Sequence, residues 1–328
     1  MTYDESGELV HPDAFVFPHA WHGKRRWFAA TPYPRGDPLY ENPSLFVTGN
    51  GLEWAPPPGV TNPLATPTQG YLSDPDIIHD PVSDELFMYY RAYWAGDQIF
   101  LRRSSDGVNW KPPTLVLEGE RNSLISPAVV RELDGSWRMW TVDAGTYGCR
   151  AQPTDIRLGQ RRSRDGITWG DSREVNLSIA GWVPWHWDVQ YISAKNEYWS
   201  LVTAYPEHHD CSRTSVFLAT SVNGSDWTVF PSPLLGPDQV SAMRDMVYRS
   251  TFRYYPATDE VSVWFSGARL EDGSYHYALA MAHYGAAELL RGVSVAMAVP
   301  SATIADRRLR ERSAADQAAI AAFVDHFP

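Results

Sequence analysis

The chain has 328 residues, 44% hydrophobic and 20% charged, which is enough apolar material for a large core and excludes disorder and a disulfide-stapled mini-protein. Its 28 Lys and Arg against 39 Asp and Glu give a net charge of −11, which speaks against nucleic acid and anionic lipid as partners. Met1 to Val10 lacks the layout of a signal peptide and no stretch approaches the ~20 apolar residues of a membrane span, so the expectation is a soluble cytoplasmic protein, or a secreted one if a leader has been removed. The sequence does not set the oligomeric state. Cys149 and Cys211 are too few for a four-cysteine zinc site and are not spaced as C-x-x-C, but they can form one disulfide.

Read in chain order, the first strand-like segment opens with His11-Pro12-Asp13, passes a loop holding Glu41 and Asn42, and reaches the turn Thr48-Gly-Asn50-Gly51-Leu-Glu-Trp54. A second unit opens at Asp74-Pro75-Asp76, continues through Glu85 to Tyr90 and Gln98 to Leu101, and ends in Ser104-Ser-Asp106-Gly107-Val-Asn-Trp110. The third runs from Ser126-Pro127 to Ser163-Arg-Asp165-Gly166-Ile-Thr-Trp169, and the fourth from Trp187-Asp188 to Ser221-Val-Asn223-Gly224-Ser-Asp-Trp227. A fifth, opening at Arg249-Ser250, keeps its strands but has lost the turn. The four tryptophans are 56, 59 and 58 residues apart, a period that marks a repeat architecture. In each turn Asp or Asn caps through its side chain, Gly supplies positive φ and Trp packs back on the next strand. The unit is therefore a four-stranded antiparallel sheet, and the chain is expected to be all-β: a five-bladed β-propeller over 1–300, with a C-terminal helix in 301–328 docked on the ring.

In such a ring the start of each innermost strand and each strand 2–3 loop face one funnel. They bring together Glu41, Asp74, Arg91, Trp94, Asp143, Asp188, Glu207 and His208, with Trp185, His186 and Trp187 in the link to the fourth blade. Indoles stack on the apolar faces of sugar rings, so the funnel suits a carbohydrate partner.

The Asp74-Pro75 opening, the Tyr89-Tyr90 pair and the Ser-x-Asp-Gly-x-x-Trp turns resemble the five-bladed propeller glycoside hydrolases of family 43 and their relatives. The resemblance spans roughly Val10 to Tyr284 and implies acid/base cleavage of a glycosidic bond, in a furanoside or short oligosaccharide. Family members carry Asp at the first blade's opening, Asp at the second and Glu near the third. Here the first has His11 and the third Ser126, so only Asp74 carries over.

Glycoside hydrolysis needs two carboxyl groups bracketing the bond. Asp74 and Asp188, from non-adjacent blades, are the expected pair, with Glu207 or Glu41 as proton donor. His11, Arg91, Trp94, Asp143, Trp185, His186, Trp187, His208 and Arg249 are the expected substrate contacts. No cofactor is expected to be required. No H-E-x-x-H spacing or phosphate-cradling loop occurs, so no metal ligand is assigned. The resemblance allows a structural calcium or sodium ion near the axis. A non-hydrolytic carbohydrate-binding propeller and a sugar-modifying lyase or cyclase are the competing readings.

Overall fold

The computed structural model describes residues 2–51, 53–240, 243–291 and 299–300. They form five antiparallel sheets. Blade 1 holds β1 (Leu9–Trp21), β2 (Lys24–Pro32) and β3 (Ser44–Thr48), and blade 2 holds β4 (Tyr71–Asp80), β5 (Glu85–Tyr93), β6 (Asp97–Ser104) and β7 (Thr114–Gly119). Blade 3 holds β8 (Ile125–Arg131), β9 (Trp137–Asp143), β10 (Arg157–Ser163) and β11 (Arg173–Glu174). Blade 4 holds β12 (Trp182–Ile192), β13 (Glu197–Pro206), β14 (Ser215–Ser221) and β15 (Thr228–Val229). Blade 5 holds β16 (Met246–Tyr255), β17 (Glu260–Glu271), β18 (Ser274–Gly285) and β19 (Val299–Pro300). Four blades are four-stranded as expected; in blade 1 the fourth strand shrinks to the single bridge Val47–Ala55. The expected C-terminal helix lies outside the described residues.

The repeated turn is the device that joins neighbouring blades. In all four copies the Gly N–H donates to the Ser or Thr hydroxyl three residues earlier, at 3.0, 2.9, 2.9 and 2.9 Å. The residue after each Trp pairs back on the third strand, which puts Trp54, Trp110, Trp169 and Trp227 at equivalent places. An aromatic residue on the second strand of the preceding blade then sits on the turn. Tyr89 donates to Gly166 O at 2.6 Å, Trp140 to Gly224 O at 2.8 Å, and Trp264 of blade 5 to Gly51 O of blade 1 at 3.0 Å, which helps close the ring. Blade 5 lacks the turn, and in blade 4 the matching register position is held by Leu201, while Trp199, two residues earlier, donates to Glu197 at 2.7 Å.

Only glycine fits this joint. Gly107 has φ +73°, and a Cβ there would lie 2.3 Å from the Trp27 ring. Gly23 has φ +76° with open space around it. Both Ala variants share the left-handed strain, so Gly107→Ala should lose about 2 kcal/mol more stability than Gly23→Ala in denaturant unfolding, from overpacking alone. Equal losses would mean the joint yields.

The innermost strands are joined by side chains. Asp13 accepts from Ile77 N of blade 2 at 2.6 Å, Asp76 from Val129 N of blade 3 at 3.3 Å, and Asp188 from Phe252 N of blade 5 at 3.4 Å. Thr251 of blade 5 accepts from Ala14 N of blade 1 at 3.4 Å; at the remaining junction, between blades 3 and 4, the matching residue is Ala128, which brings no polar side chain.

Candidate active site

Every innermost strand carries a β-bulge near its start: after Val10, Ser73, Ile125, Pro184 and Val247. A bulge re-aims a side chain, and in blades 1 to 3 the bulged residues His11, Asp74 and Ser126 hold φ of +51°, +50° and +51°. Non-glycine residues rarely adopt this conformation, and its cost is tolerated where the surroundings impose it. His11 and Asp74 converge with His186 and Tyr248 on the floor of a cavity of ≈ 470 Å³, walled by Tyr33, Tyr71, Trp185 and the loop Tyr147 to Arg150, and Ser126 is buried against Asp74 and His186.

The floor is an ordered polar cluster. Asp74 Oδ1 lies 2.6 Å from Arg249 Nη1, and the Ser126 hydroxyl donates to the same oxygen at 3.1 Å. Ser126 Oγ is then the acceptor for His186 Nδ1–H, leaving the buried Nε2 lone pair of His186 without a partner. His11 Nδ1 is bonded to Thr31 Oγ1 at 3.0 Å and lies 3.5 Å from Glu41 Oε1, while its Nε2 faces Asp74 Oδ1 at 3.6 Å. The Tyr248 ring packs on both imidazoles, with centroids 5.3 and 5.1 Å away, and holds their planes.

Burial pushes both imidazoles below the ordinary histidine value, so they are neutral near pH 7. Burial alone would raise Asp74, but the His11 and His186 rings facing it and the Arg249 guanidinium outweigh it and hold the carboxyl well below its usual range. Burial, reinforced by Asp74, pushes Glu41 well above the ordinary glutamate value. One ligand atom from each of His11, Asp74 and His186 can lie within 4.8 Å of the others, so two neutral imidazoles and one ionised carboxylate face a common point. That donor set suits a divalent transition ion, and the unpartnered His186 Nε2 is the buried atom such an ion would satisfy. No sequence spacing records this cluster, because the ring assembles it from three blades.

Of the expected site residues, His11, Glu41, Asp74, Arg91, Trp185 and His186 line the cavity. Asp188 does not: it lies two residues further along its strand and faces the opposite mouth of the axis, so it does not bracket a sugar with Asp74. Glu207 lines a separate outer cavity with Trp182, away from the floor, because its loop turns outward. Trp187 is sealed in the core between blades 3 and 4, whereas Trp94 is 59% exposed and outside the cavity. Asp143 spends its Oδ1 on Gly145 N, at 2.9 Å, shaping the loop that carries Tyr147. His208 sits in an outer cleft with His209 and Asp210. Arg249 is buried behind Asp74 and orients it rather than touching the cavity. Sequence reasoning missed Tyr248; the bulge position one residue before Arg249 is the signal that marks it.

Cys149 and Cys211 form a disulfide with Cα atoms 5.1 Å apart, tying the cavity loop of blade 3 to blade 4. The bridge joins residues 62 apart, so its removal in a Cys149→Ala/Cys211→Ala variant should cost about 4 kcal/mol of stability. Because Tyr147 and Arg150 line the cavity, KM for the substrate should rise more than kcat falls in the same variant. Unchanged KM would separate the bridge from binding.

No family model matches the chain. It is 28% identical over 314 residues to the A type blood N-acetyl-α-D-galactosamine deacetylase of Flavonifractor plautii, an alignment covering 79% of this chain and 40% of the relative. The chain thus spans less than half the length of that curated relative. The crystal structure of an N-acetylgalactosamine deacetylase from F. plautii, in complex with blood group B trisaccharide, superposes with a TM-score of 0.80 and 25% identity, covering 87% of this chain and 91% of that one. A thermostable family-43 glycoside hydrolase superposes with a TM-score of 0.63 at 12% identity, over 90% and 94% of the two chains. The chain is a five-bladed β-propeller of the fold shared by family-43 glycoside hydrolases and the F. plautii deacetylase.

Proposed function

We propose that this chain is a metal-dependent deacetylase acting on an N-acetylated amino sugar. The observation that carries the reading is the His11, Asp74 and His186 cluster on the floor of an aromatic-walled cavity. It stands where the glycosidases of this fold carry carboxylates at the first and third blades, positions held here by His11 and Ser126. The sequence-based expectation of glycosidic cleavage needs two free carboxyl groups, whereas Asp74 is locked to Arg249. The similarity to the F. plautii deacetylase supports the same reading.

The aromatic walls hold the sugar, with the Trp185 indole and the tyrosine rings offering flat faces to its C–H groups. A divalent ion held by His11, Asp74 and His186 would supply Lewis acidity toward the acetamido carbonyl. Glu41 is the proton carrier. Its carboxylate takes a proton from water as the new C–O bond forms, and its acid form gives that proton to nitrogen as the C–N bond breaks, releasing acetate and the free amine. Ser126 fixes the His186 tautomer, and Arg249 keeps Asp74 ionised and in place.

With nitrophenyl N-acetylgalactosaminide and N-acetylglucosaminide as substrates, the expected product is acetate without nitrophenol. Exhaustive chelation should reduce acetate release by at least about 10²-fold, and a divalent transition ion should restore it. Nitrophenol without acetate, or full activity after the ion is removed, rejects the reading.

A further inference from the structure

The floor cluster, the aromatic walls and Glu41 leave two exposed arginines at the mouth of the cavity, Arg121 and Arg150, without a role. We infer that the sugar this cavity takes carries an anionic group, a sulfate or a carboxylate, which Arg121 and Arg150 bind at the rim while the acetamido group points to the floor. The inference rests on the deacetylase reading for the orientation of the sugar, and on the two arginines for the charge.

The other charges of the cavity are already balanced. Arg91 Nη2 lies 2.7 Å from Asp97 Oδ1, Arg249 faces Asp74, and burial, reinforced by Asp74, keeps the Glu41 proton on to well above the ordinary glutamate value. Arg121 and Arg150 make no ion pair among the described residues. Beyond Arg150 the basic surface continues into the outer cleft, of ≈ 500 Å³, which Arg150 borders together with His208, His209 and Arg213. Asp210 is the one carboxylate among the described residues lining that cleft; it offsets part of the charge, and its Oδ1 is taken by the N–H and hydroxyl of Ser212. On a chain of net charge −11, a strip of this sign draws an anion to one sector of the rim.

Both guanidinium groups are placed by devices of the fold. Asn122, next to Arg121, donates from Nδ2 to Gly145 O at 2.9 Å, and its carbonyl accepts from Ala144 N at 2.8 Å, so the link into blade 3 is clasped to the loop that ends at Arg150. The Arg121 guanidinium lies 5.6 Å from the centre of the Tyr93 ring, and that ring stacks on the wall residue Tyr71 with centroids 5.1 Å apart. Arg150 follows Cys149, which the disulfide fixes to blade 4. A guanidinium held in this way offers paired N–H donors that match the oxygens of a sulfate or carboxylate, and little order has to be gained on binding.

The test is titration calorimetry on the full chain carrying Glu41→Gln, so that no sugar is consumed. The probes form two pairs: methyl N-acetylgalactosaminide against its 6-O-sulfate, and the same sugar linked to glucose against the same sugar linked to glucuronate. In at least one pair the acidic member should bind about tenfold or more tightly than the neutral one, with an advantage that shrinks at high salt. The pair that responds tells whether the charge sits on the deacetylated sugar or on its neighbour. Adding Arg121→Gln and Arg150→Gln should bring the ratio to within about twofold of unity, with Tm as the check on folding. Equal affinities within both pairs, or no binding of either acidic probe, overturns the inference. A ratio that survives the double substitution also overturns it, by placing the anion elsewhere. Acetate release by the wild-type chain tests the deacetylase reading separately: anion-selective binding without acetate rejects that reading alone, and acetate without anion selectivity rejects the rim assignment alone.

Discussion

Asp74→Asn should lower kcat/KM for deacetylation by about 10³-fold or more, lose the bound transition ion, and lower Tm by about 10 °C. One cause underlies all three. Asp74 is 1% exposed and Arg249 2%, and their oxygen and nitrogen lie 2.6 Å apart. The amide keeps the shape but leaves Arg249 as an uncompensated buried charge, a loss of about 3–5 kcal/mol for a pair of this kind. It also removes the anionic member of the His11, Asp74 and His186 cluster. Activity on the nitrophenyl substrate, metal content and thermal unfolding of the same preparation check the prediction together. An Asp74→Asn enzyme within a few-fold of wild type would remove Asp74 from the site. A normal Tm would show that Arg249 finds another partner.

The fold was legible because the joint that builds it is short and local. Ser-x-Asp-Gly-x-x-Trp encodes its own turn, and the Trp returns to the third strand in every copy. Blade 5 was harder to place from its turn because that motif is gone, yet its strands Glu260–Glu271 and Ser274–Gly285 are the longest paired run in the ring. The site was legible in part. Asp74, His11, Glu41, Trp185 and His186 follow from the rule that blade openings face the funnel. Asp188 shows where that rule ran out. Along one strand a shift of two residues keeps the same face but moves the side chain to the next layer of the axis, so Asp188 joins Asp13 and Asp76 rather than Asp74. The bulges at the strand starts decide the layer; Pro12, Pro75, Pro127 and Pro184 lie in or beside four of them, but how far each bulge shifts the register is set by the strand pairing of the folded ring. Trp187 was misplaced for a related reason: its neighbour Trp185 sits in the bulge and lines the cavity, while Trp187 lies beyond it and turns into the core.

Glu41→Gln should reduce kcat by about 10²–10⁴-fold while leaving sugar affinity and metal content nearly unchanged, because it removes the proton carrier and not a member of the ion-binding cluster. The pH profile distinguishes this from mere disturbance of the cavity. Burial and the neighbouring Asp74 hold the Glu41 proton on to well above the ordinary glutamate value. The mechanism begins from the carboxylate form, so the sign is fixed: activity is absent while Glu41 is protonated and rises as pH passes through its raised pKa. The acid limb of kcat/KM should therefore lie above about 4.3, where an exposed glutamate titrates, and should vanish from the residual activity of Glu41→Gln. Glu41→Asp, which keeps the acid but shortens its reach, should retain the limb at reduced kcat. An acid limb that survives unchanged in Glu41→Gln would assign it to another group, and His11, 3.5 Å away, would then be the residue to test.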